Sequence, residues 1–312
     1  MIDVFYRVLD FTLPILFMIF IGLFGTGILV EMGLMQRFSR ITRPIFRHTN
    51  LPESCASAFM VSLGSTVAAS SMVSKLRDDG CLNKKEVMLC SVMNSTPAYF
   101  REIITYQIPI VLPALGPVVG GFYVAVFIIT GFVKMGVVII LSRILLDKSS
   151  CKTPEITSSE KPNIKTAVEK SFKRTKRLFL KIGSIYLTMT TLVFILKDRG
   201  AFEVFNVLPL AELFSIPPES IIPLTSYIAS PILGISLLGP MIQNNGISNI
   251  QAMIVLMIGS MFMLPVFALR SLVPRYVSFF GPRLGITIVA FSTGISIVIR
   301  FVILLILLGI AG

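Results

Sequence analysis

The sequence predicts an all-α polytopic membrane protein with two inverted-topology repeats, each of about three spans plus a re-entrant helical hairpin. Three observations support this fold class. Of the 312 residues, 54% are hydrophobic and 14% are charged, whereas soluble domains have about a quarter charged residues. The two halves of the chain carry matching motifs in the same order. Finally, basic and acidic residues are unevenly distributed among the segments that join the apolar stretches, and this distribution predicts orientation.

The repeat is visible as pairs of short motifs. Asn50-Leu51-Pro52-Glu53-Ser54 corresponds to Ile216-Pro217-Pro218-Glu219-Ser220, and Asp78-Asp79-Gly80 corresponds to Asn244-Asn245-Gly246 at the same spacing. After a small insertion, Ser95-Thr96-Pro97 and Arg101 align with Met263-Leu264-Pro265 and Arg270, and Gly116-Pro117 aligns with Gly281-Pro282. These pairs predict a first repeat over residues 1–146, a linker over 147–177 and a second repeat over 178–312.

The linker is the only long polar stretch of the chain, and it is basic. It contains nine Lys and Arg residues against four Asp and Glu residues, so it is expected to be cytoplasmic. The net charge of +12 could suggest nucleic acid as a partner, but much of that charge lies beside apolar spans. Anionic lipid headgroups at the linker are therefore the expected partner, and nucleic acid is not.

In the first half, charge predicts three crossings and one re-entrant hairpin. Leu9–Val30 ends at a cluster of arginines, which places that end inside. Ser54–Leu76 is interrupted at Gly64-Ser65-Thr66. The basic residues on both of its flanks are predicted to lie inside, so this segment is expected to enter and leave from the same side. Glu86–Ile104 then crosses outward, and Gly116–Leu146 returns to the linker.

In the second half, the same pattern is predicted with the opposite orientation. Leu178–Leu196 leads outward to the acidic loop Lys197–Glu219. Ser220–Ile242, broken at Ser230-Pro231 and Gly234, enters and leaves from outside; Ile247–Ala268 returns inward, and Gly285–Leu308 leaves the C-terminus outside. If each hairpin were a full span instead, the orientation of every later segment would reverse.

Three motifs of the first half resemble the nucleoside-recognition, or gate, family. They are Leu63-Gly64-Ser65-Thr66-Val67-Ala68-Ala69-Ser70-Ser71-Met72, Leu76-Arg77-Asp78-Asp79-Gly80 and Asn94-Ser95-Thr96-Pro97-Ala98. That family includes the gate regions of concentrative nucleoside transporters and of ferrous-iron transporters, and the likeness is greatest to stand-alone prokaryotic members. The resemblance implies a multi-pass protein of a prokaryotic cell membrane. The sequence has no P-loop and no clear counterpart of the acidic nucleoside-binding motif.

The helix breaks are candidate binding positions. Inside a membrane, helix ends leave N–H and C=O groups that can hold a polar solute or ion. The alternative is that small residues only allow close helix packing. The candidates are Gly64, Ser65 and Thr66 at the first hairpin, Ser230, Pro231 and Gly234 at the second, and Asn94, Ser95 and Thr96 before Pro97.

Lys134 and Arg300 are a second kind of candidate, because they fall one residue apart in equivalent final spans. Buried cations in a span are rare and usually face a cavity. We expect them to face the interior and to attract an anionic solute, or to balance a carboxylate at Glu31, Glu86 or Glu102. Snorkelling to the headgroups is the alternative. Arg101 and Arg270 are predicted to be boundary anchors.

These features predict a secondary transporter of a small polar or anionic solute, nucleoside-like by family resemblance, that works by alternating access. A non-transporting membrane assembly or maturation protein and a metal-ion permease are the alternatives. The sequence shows no Ser–His pair, no carboxylate pair and no metal-ligand spacing among its four cysteines, which are expected to be reduced and unpaired. We therefore expect no enzyme activity, no cofactor and no metal site; a homo-oligomer is compatible with this interpretation.

Overall fold

The computed structural model describes residues 46–64, 66–147 and 216–311 continuously, together with single positions within 6–24 and 168–195. Several predictions fall outside the described residues. They are Ser65, most of the first span and of the basic linker, most of Leu178–Leu196, and the acidic loop up to residue 215. The three-part domain division therefore stays a prediction.

The described residues form helices joined by short turns. The first half contains α1 (Glu53–Gly64), α2 (Thr66–Asp78), α3 (Lys84–Met93), α4 (Thr96–Glu102), a π-helical segment (Ile103–Val111) and α5 (Leu112–Leu145). The second half contains a 3₁₀ turn (Pro218–Ser220), α6 (Ile221–Ala229), α7 (Pro231–Gln243), α8 (Asn249–Phe267), a second π-helical segment (Ala268–Leu272), α9 (Val273–Phe280) and α10 (Pro282–Ala311). No strand occurs in these ranges, so the prediction of an all-α protein is confirmed for them.

Within the described residues, three helical stretches are long and apolar enough to cross a membrane: Lys84–Leu145, Asn249–Phe267 and Pro282–Ala311. A crossing needs about 20 residues, so the 62 residues of the first stretch exceed one crossing. The helix breaks at Gly116 (φ 80°, ψ 170°), and α5 packs back against α3 and α4. Large apolar side chains on the outer faces of α5 and α10, such as Phe132 and Phe301, are exposed. These are the features of a membrane protein.

Two pairs of short helices form helical hairpins. Hairpin 1 consists of α1 and α2, which pack against each other, and hairpin 2 consists of α6 and α7, which do the same. The arms of hairpin 1 contain 12 and 13 residues, which corresponds to about 20 Å per arm. Each arm is therefore too short to cross a bilayer core of about 30 Å by itself.

The two halves follow the same order of elements at nearly constant spacing. Asn83 and Ser248 cap α3 and α8 with the same reciprocal capping box, and Gly116 and Gly281 break the helix with φ of 80° and 81°. Both pairs are 165 residues apart (248 minus 83, 281 minus 116). The predicted insertion in this stretch is therefore wrong, and Ser95 corresponds to Ser260 rather than to Met263.

The packed core lies between the two halves. One apolar cluster joins α5 to α6, α7, α8 and α10, and the other joins α1, α2 and α3 to α9 and α10. Hairpin 1 is also tied to the second half by polar contacts, because Ser74 Oγ donates to the Phe279 carbonyl at 2.9 Å and Arg77 donates to the Phe280 carbonyl at 3.2 Å. Hairpin 2 packs against α5 of the first half. Each hairpin therefore rests on the opposite half.

Candidate functional site

Lys134 of α5 and Arg300 of α10 are both buried, with exposed fractions of 2% and 1%. The prediction that these cations face the protein interior is confirmed, and snorkelling to headgroups is excluded by this burial. Among the described residues, neither side chain has a carboxylate within 4 Å. In the described part of the chain, two positive charges are therefore buried in an apolar protein without an ion pair.

Lys134 is held by hydroxyl groups. Its Nζ donates to Ser292 Oγ at 2.8 Å and to the Tyr99 hydroxyl at 3.1 Å. The ammonium also lies 4.7 Å from the centre of the Tyr99 ring, which is a cation–π distance. The lysine of the first half is thus bound by a residue of α4 and by a residue of α10 from the second half.

Arg300 is held in a similar way. Its Nε donates to Ser260 Oγ at 3.1 Å, and one terminal nitrogen donates to the Ser296 carbonyl at 3.1 Å. The guanidinium lies 5.4 Å from the centre of the Phe127 ring. Ser260 is the counterpart of Ser95 in the other half, and each of these hydroxyls donates to the carbonyl three residues earlier, Met257 or Val92.

The two cations belong to one buried polar cluster, which we call the Lys134–Arg300 cluster (Tyr99, Lys134, Ser260, Ser292, Ser296 and Arg300). The Tyr99 and Ser296 hydroxyls are 2.9 Å apart and connect the lysine side to the arginine side. Ser95 lies at its edge, 3.5 Å from Ser292. Residues of α4, α5, α8 and α10 contribute, so the cluster is assembled from both halves of the chain.

Of the three carboxylates considered as counter-charges, two lie in the described part of the structure. Glu86 is committed to the cap of α3, where Oε2 accepts from the Asn83 N–H at 2.7 Å. Glu102 interacts with Arg300 through space, but among the described residues it makes no ion pair within 4 Å. Glu31 lies outside the described residues. Residues 220–311 contain four arginines and no Asp or Glu, so this part of the second half adds only positive charge.

The break of hairpin 1 is open and is contacted by two arginines. Gly64 is exposed, and a Cβ built there would meet no atom within 4 Å. Arg101 donates to the Gly64 carbonyl at 2.9 Å, and Arg275 donates to Thr66 Oγ1 at 3.2 Å. Arg101 thus bonds to the last turn of α1, and its role as a boundary anchor stays a prediction. The side chain of Arg270 lies outside the described part of the structure.

Hairpin 2 is closely packed just after its break, at Gly234. Ser230 has extended backbone (φ −156°, ψ 117°), and Pro231 begins α7, where no helical hydrogen bond is lost. Gly234 is buried, and a Cβ there would lie 2.4 Å from Tyr227 Cβ and 2.6 Å from its Cα. The geometry accounts for Gly234 by close helix packing, which is the alternative the sequence left open.

The predicted polar break before Pro97 separates α3 from α4. Asn94 and Thr96 are buried, and their side-chain oxygens Oδ1 and Oγ1 have no hydrogen-bond partner. Buried oxygens of this kind usually have a partner, so the break offers unused acceptors. The role of these residues in binding stays a prediction.

The cysteines differ from the expectation. Cys55 and Cys90 are buried and free, whereas Cys81 is in a disulfide bond. The prediction of four unpaired thiols is therefore wrong. No group of three or more His, Cys, Asp or Glu residues within the described ranges could hold a metal ion.

The structure thus brings Lys134, Arg300 and Ser95 into one cluster and places Gly64 and Thr66 beside a pair of arginines. It leaves Ser230, Pro231 and Gly234 in a packed hairpin. The sequence analysis missed Tyr99, Ser260, Ser292, Ser296 and Arg275. A signal for part of this set was present, because Ser292, Ser296 and Arg300 are spaced by four residues on one helix and so share a face.

Comparisons with known proteins agree with the resemblance. The family model described as Gate, nucleoside recognition, matches residues 12–118. Three uncharacterized proteins of Methanocaldococcus jannaschii are similar over nearly their whole length. One is 25% identical over 97% of this chain and 99% of its own, and another is 27% identical over 99% of this chain and 100% of its own. The third is 27% identical over 93% of this chain and 90% of its own. No solved structure matches. The family match covers residues 12–118, which contain the three motifs that resemble this family.

Proposed function

We propose that the protein is a secondary membrane transporter of a small anionic solute with polar groups, nucleoside-like by its family, that works by alternating access. The observation that carries this proposal is the Lys134–Arg300 cluster. Both cations are buried, and among the described residues their polar partners are neutral hydroxyls and a carbonyl. An intramembrane charge of this kind is a functional-site hypothesis by default.

Electrostatics favours an anion over the other solute classes. A cation at the centre of a helical span costs about 2.5–3.5 kcal/mol on insertion scales. Hydroxyl dipoles reduce that cost but leave the charge in place, whereas a bound anion cancels it. The same charges repel a metal cation, so a metal-ion permease is the weaker alternative. A nucleoside without an anionic group would use only the hydroxyls.

The arrangement of the halves supports alternating access. The matched caps, glycine breaks and hairpins fit two repeats, for which charge predicts opposite orientations and re-entrant hairpins. The cluster contains residues from both halves, and each hairpin rests on the opposite half. A movement of one repeat against the other would therefore open or close the site, as in transporters built from inverted repeats.

A ligand screen of the purified protein tests the function. Thermal unfolding is measured with uridine, uridine monophosphate, succinate, sodium and magnesium, each over a range of concentrations. We expect the anionic compounds with polar groups to raise the Tm saturably, because a ligand that binds only the folded state stabilises it by about 2.7 kcal/mol at 100 times its Kd. Uptake of the stabilising compound into proteoliposomes then separates transport from binding. If no compound raises the Tm, the non-transporting assembly protein is favoured; stabilisation by magnesium alone favours the permease.

The orientation of the repeats is tested by labelling single cysteines in intact cells. All four native cysteines are replaced, and Ser158→Cys, Asn206→Cys or Gly312→Cys is introduced. We expect an impermeant maleimide to label positions 206 and 312 but not position 158, because the linker is basic and the loop is acidic. Permeabilised cells provide the control for reactivity. Labelling of position 158 in intact cells would contradict the inverted-repeat arrangement.

A further inference from the structure

Two arginines, one from each half, converge on the break between α1 and α2. Arg101 of α4 donates to the Gly64 carbonyl at 2.9 Å, and Arg275 of α9 donates to Thr66 Oγ1 at 3.2 Å. Gly64 and Thr66 are two residues apart, so their Cα atoms lie within about 7 Å of each other. The two guanidinium groups are therefore held at the same short stretch of chain.

Neither arginine is neutralised by the described residues. No carboxylate lies within 4 Å of either guanidinium in those parts of the chain. Glu102 interacts with Arg101 through space but makes no ion pair there. Each guanidinium has five N–H donors, and each uses one of them in a hydrogen bond. In addition, Arg275 Nε is buried and has no hydrogen-bond partner among the described residues, and a buried unpaired donor on a charged group is costly.

The break also has room for a ligand. Gly64 is exposed, and the space where its Cβ would be is open. The 13-residue helix α2 begins at Thr66, so its first N–H groups and the positive end of its dipole lie at the same place. By contrast, hairpin 2 has no arginine bonded to Ser230 or Pro231 among the described residues, and Tyr227 and Gly234 close its packing. Among the described residues, only the break of hairpin 1 is contacted by arginines.

We propose that this break is an oxyanion-binding site, in which Arg101 and Arg275 hold a carboxylate or phosphate group against Gly64 and Thr66. Guanidinium groups bind both anions by paired N–H···O bonds. This inference rests on the proposed function, because the ligand would be the anionic group of the transported solute. Since one arginine comes from each half, the bound anion would hold the two halves together on the side where hairpin 1 is open. The break of hairpin 1 would therefore bind the anion as it enters, and the Lys134–Arg300 cluster would bind it inside the protein.

Equilibrium binding of two simple probes tests the site. The Tm of the purified protein is measured against sodium phosphate and sodium acetate, with sodium chloride at equal ionic strength as the reference. We expect saturable stabilisation by at least one oxyanion, and the response to phosphate or to acetate identifies which group the site prefers. Arg101→Gln and Arg275→Gln are each expected to weaken the apparent affinity at least about tenfold, since a hydrogen bond to a charged group contributes about 1.5–3 kcal/mol.

Matched variants control for the loss of charge and for failure to fold. Arg283→Gln removes the same charge from an exposed position of α10 and is expected to leave probe binding unchanged. If a glutamine variant does not fold, Arg101→Lys and Arg275→Lys keep the charge and lose the paired donors, so weakened binding is again expected. Unchanged probe affinity in both arginine variants overturns the site while leaving the transport proposal intact. Absence of solute uptake by the wild-type protein, with arginine-dependent probe binding retained, overturns transport and leaves the site.

Discussion

Replacing both buried cations, as Lys134→Met with Arg300→Met, is expected to weaken binding and uptake of the anionic solute about 100-fold or more. Each charged hydrogen bond to an anion contributes about 1.5–3 kcal/mol, so the loss of two exceeds 2.7 kcal/mol, about two factors of ten. The Tm without solute is expected to stay the same or to rise. Methionine fills a similar volume, and an uncompensated buried charge is removed.

The measurement pairs solute affinity with uptake into proteoliposomes. The matched control is Lys85→Met with Arg283→Met, which makes the same two chemical changes at exposed positions of α3 and α10. Both double variants lose the same net charge. The control therefore separates the effect of losing the local site from the effect of losing net charge. Normal affinity in the Lys134→Met and Arg300→Met double variant would show that the cations are structural, and the preference for an anionic solute would then be withdrawn.

Gly234→Leu is expected to destabilise the protein by about 3 kcal/mol or more, which would be seen as a large fall in Tm and in yield. Overpacking usually costs about 1–3 kcal/mol, and here the first added carbon would already lie 2.4 Å from Tyr227 Cβ. Tyr227 cannot move away freely, because its hydroxyl bonds to that of Tyr123 and its Cα lies 2.6 Å from the same point. The sequence analysis named Gly234 as a candidate binding position, and in that role this variant would insert normally and lose binding.

Gly64→Leu is the comparison for Gly234→Leu. Because the space at Gly64 is open, this variant is expected to fold and to weaken anion binding by filling the break of hairpin 1. Gly294→Ala, at an open position within α10, controls for replacing a helical glycine and is expected to be stable. A Gly234→Leu protein with normal Tm and lost binding would restore the original prediction. A Gly64→Leu protein that binds the anion normally would show that Gly64 has a packing role and not a binding role.

Local features were predictable because they depend on residues close in sequence. The last span of the first half was predicted to begin at Gly116, and the structure places a helix break there, with a positive φ that suits glycine. The polar break before Pro97 was also expected. The start of α3 at Lys84, two residues before the predicted start, follows from the Asn83 and Glu86 capping box, a local signal that the prediction did not use.

The spacing of the two repeats needed the structure. Sequence identity between the halves is low around Pro97 and Pro265, so aligning the two prolines introduced an insertion. The caps and the glycine breaks are backbone features, and they show the same spacing of 165 residues with no gap (248 minus 83, 281 minus 116). Similar backbone geometry can persist where side chains have diverged, which explains why the proline pair misled the alignment.

The sequence by itself determined that the chain is apolar and helical, that it repeats, where its helices break and that two cations lie in matching spans. Each follows from composition or from patterns within a few residues. The tertiary structure alone decided which groups meet: Lys134 with Ser292, Arg101 with Gly64 and Arg275 with Thr66 are separated by 158, 37 and 209 residues. The physical reason is that such contacts depend on how whole helices pack, and packing depends on the shapes of all the side chains between them. A cation's sequence neighbours therefore indicate that it is buried, but not which residues surround it.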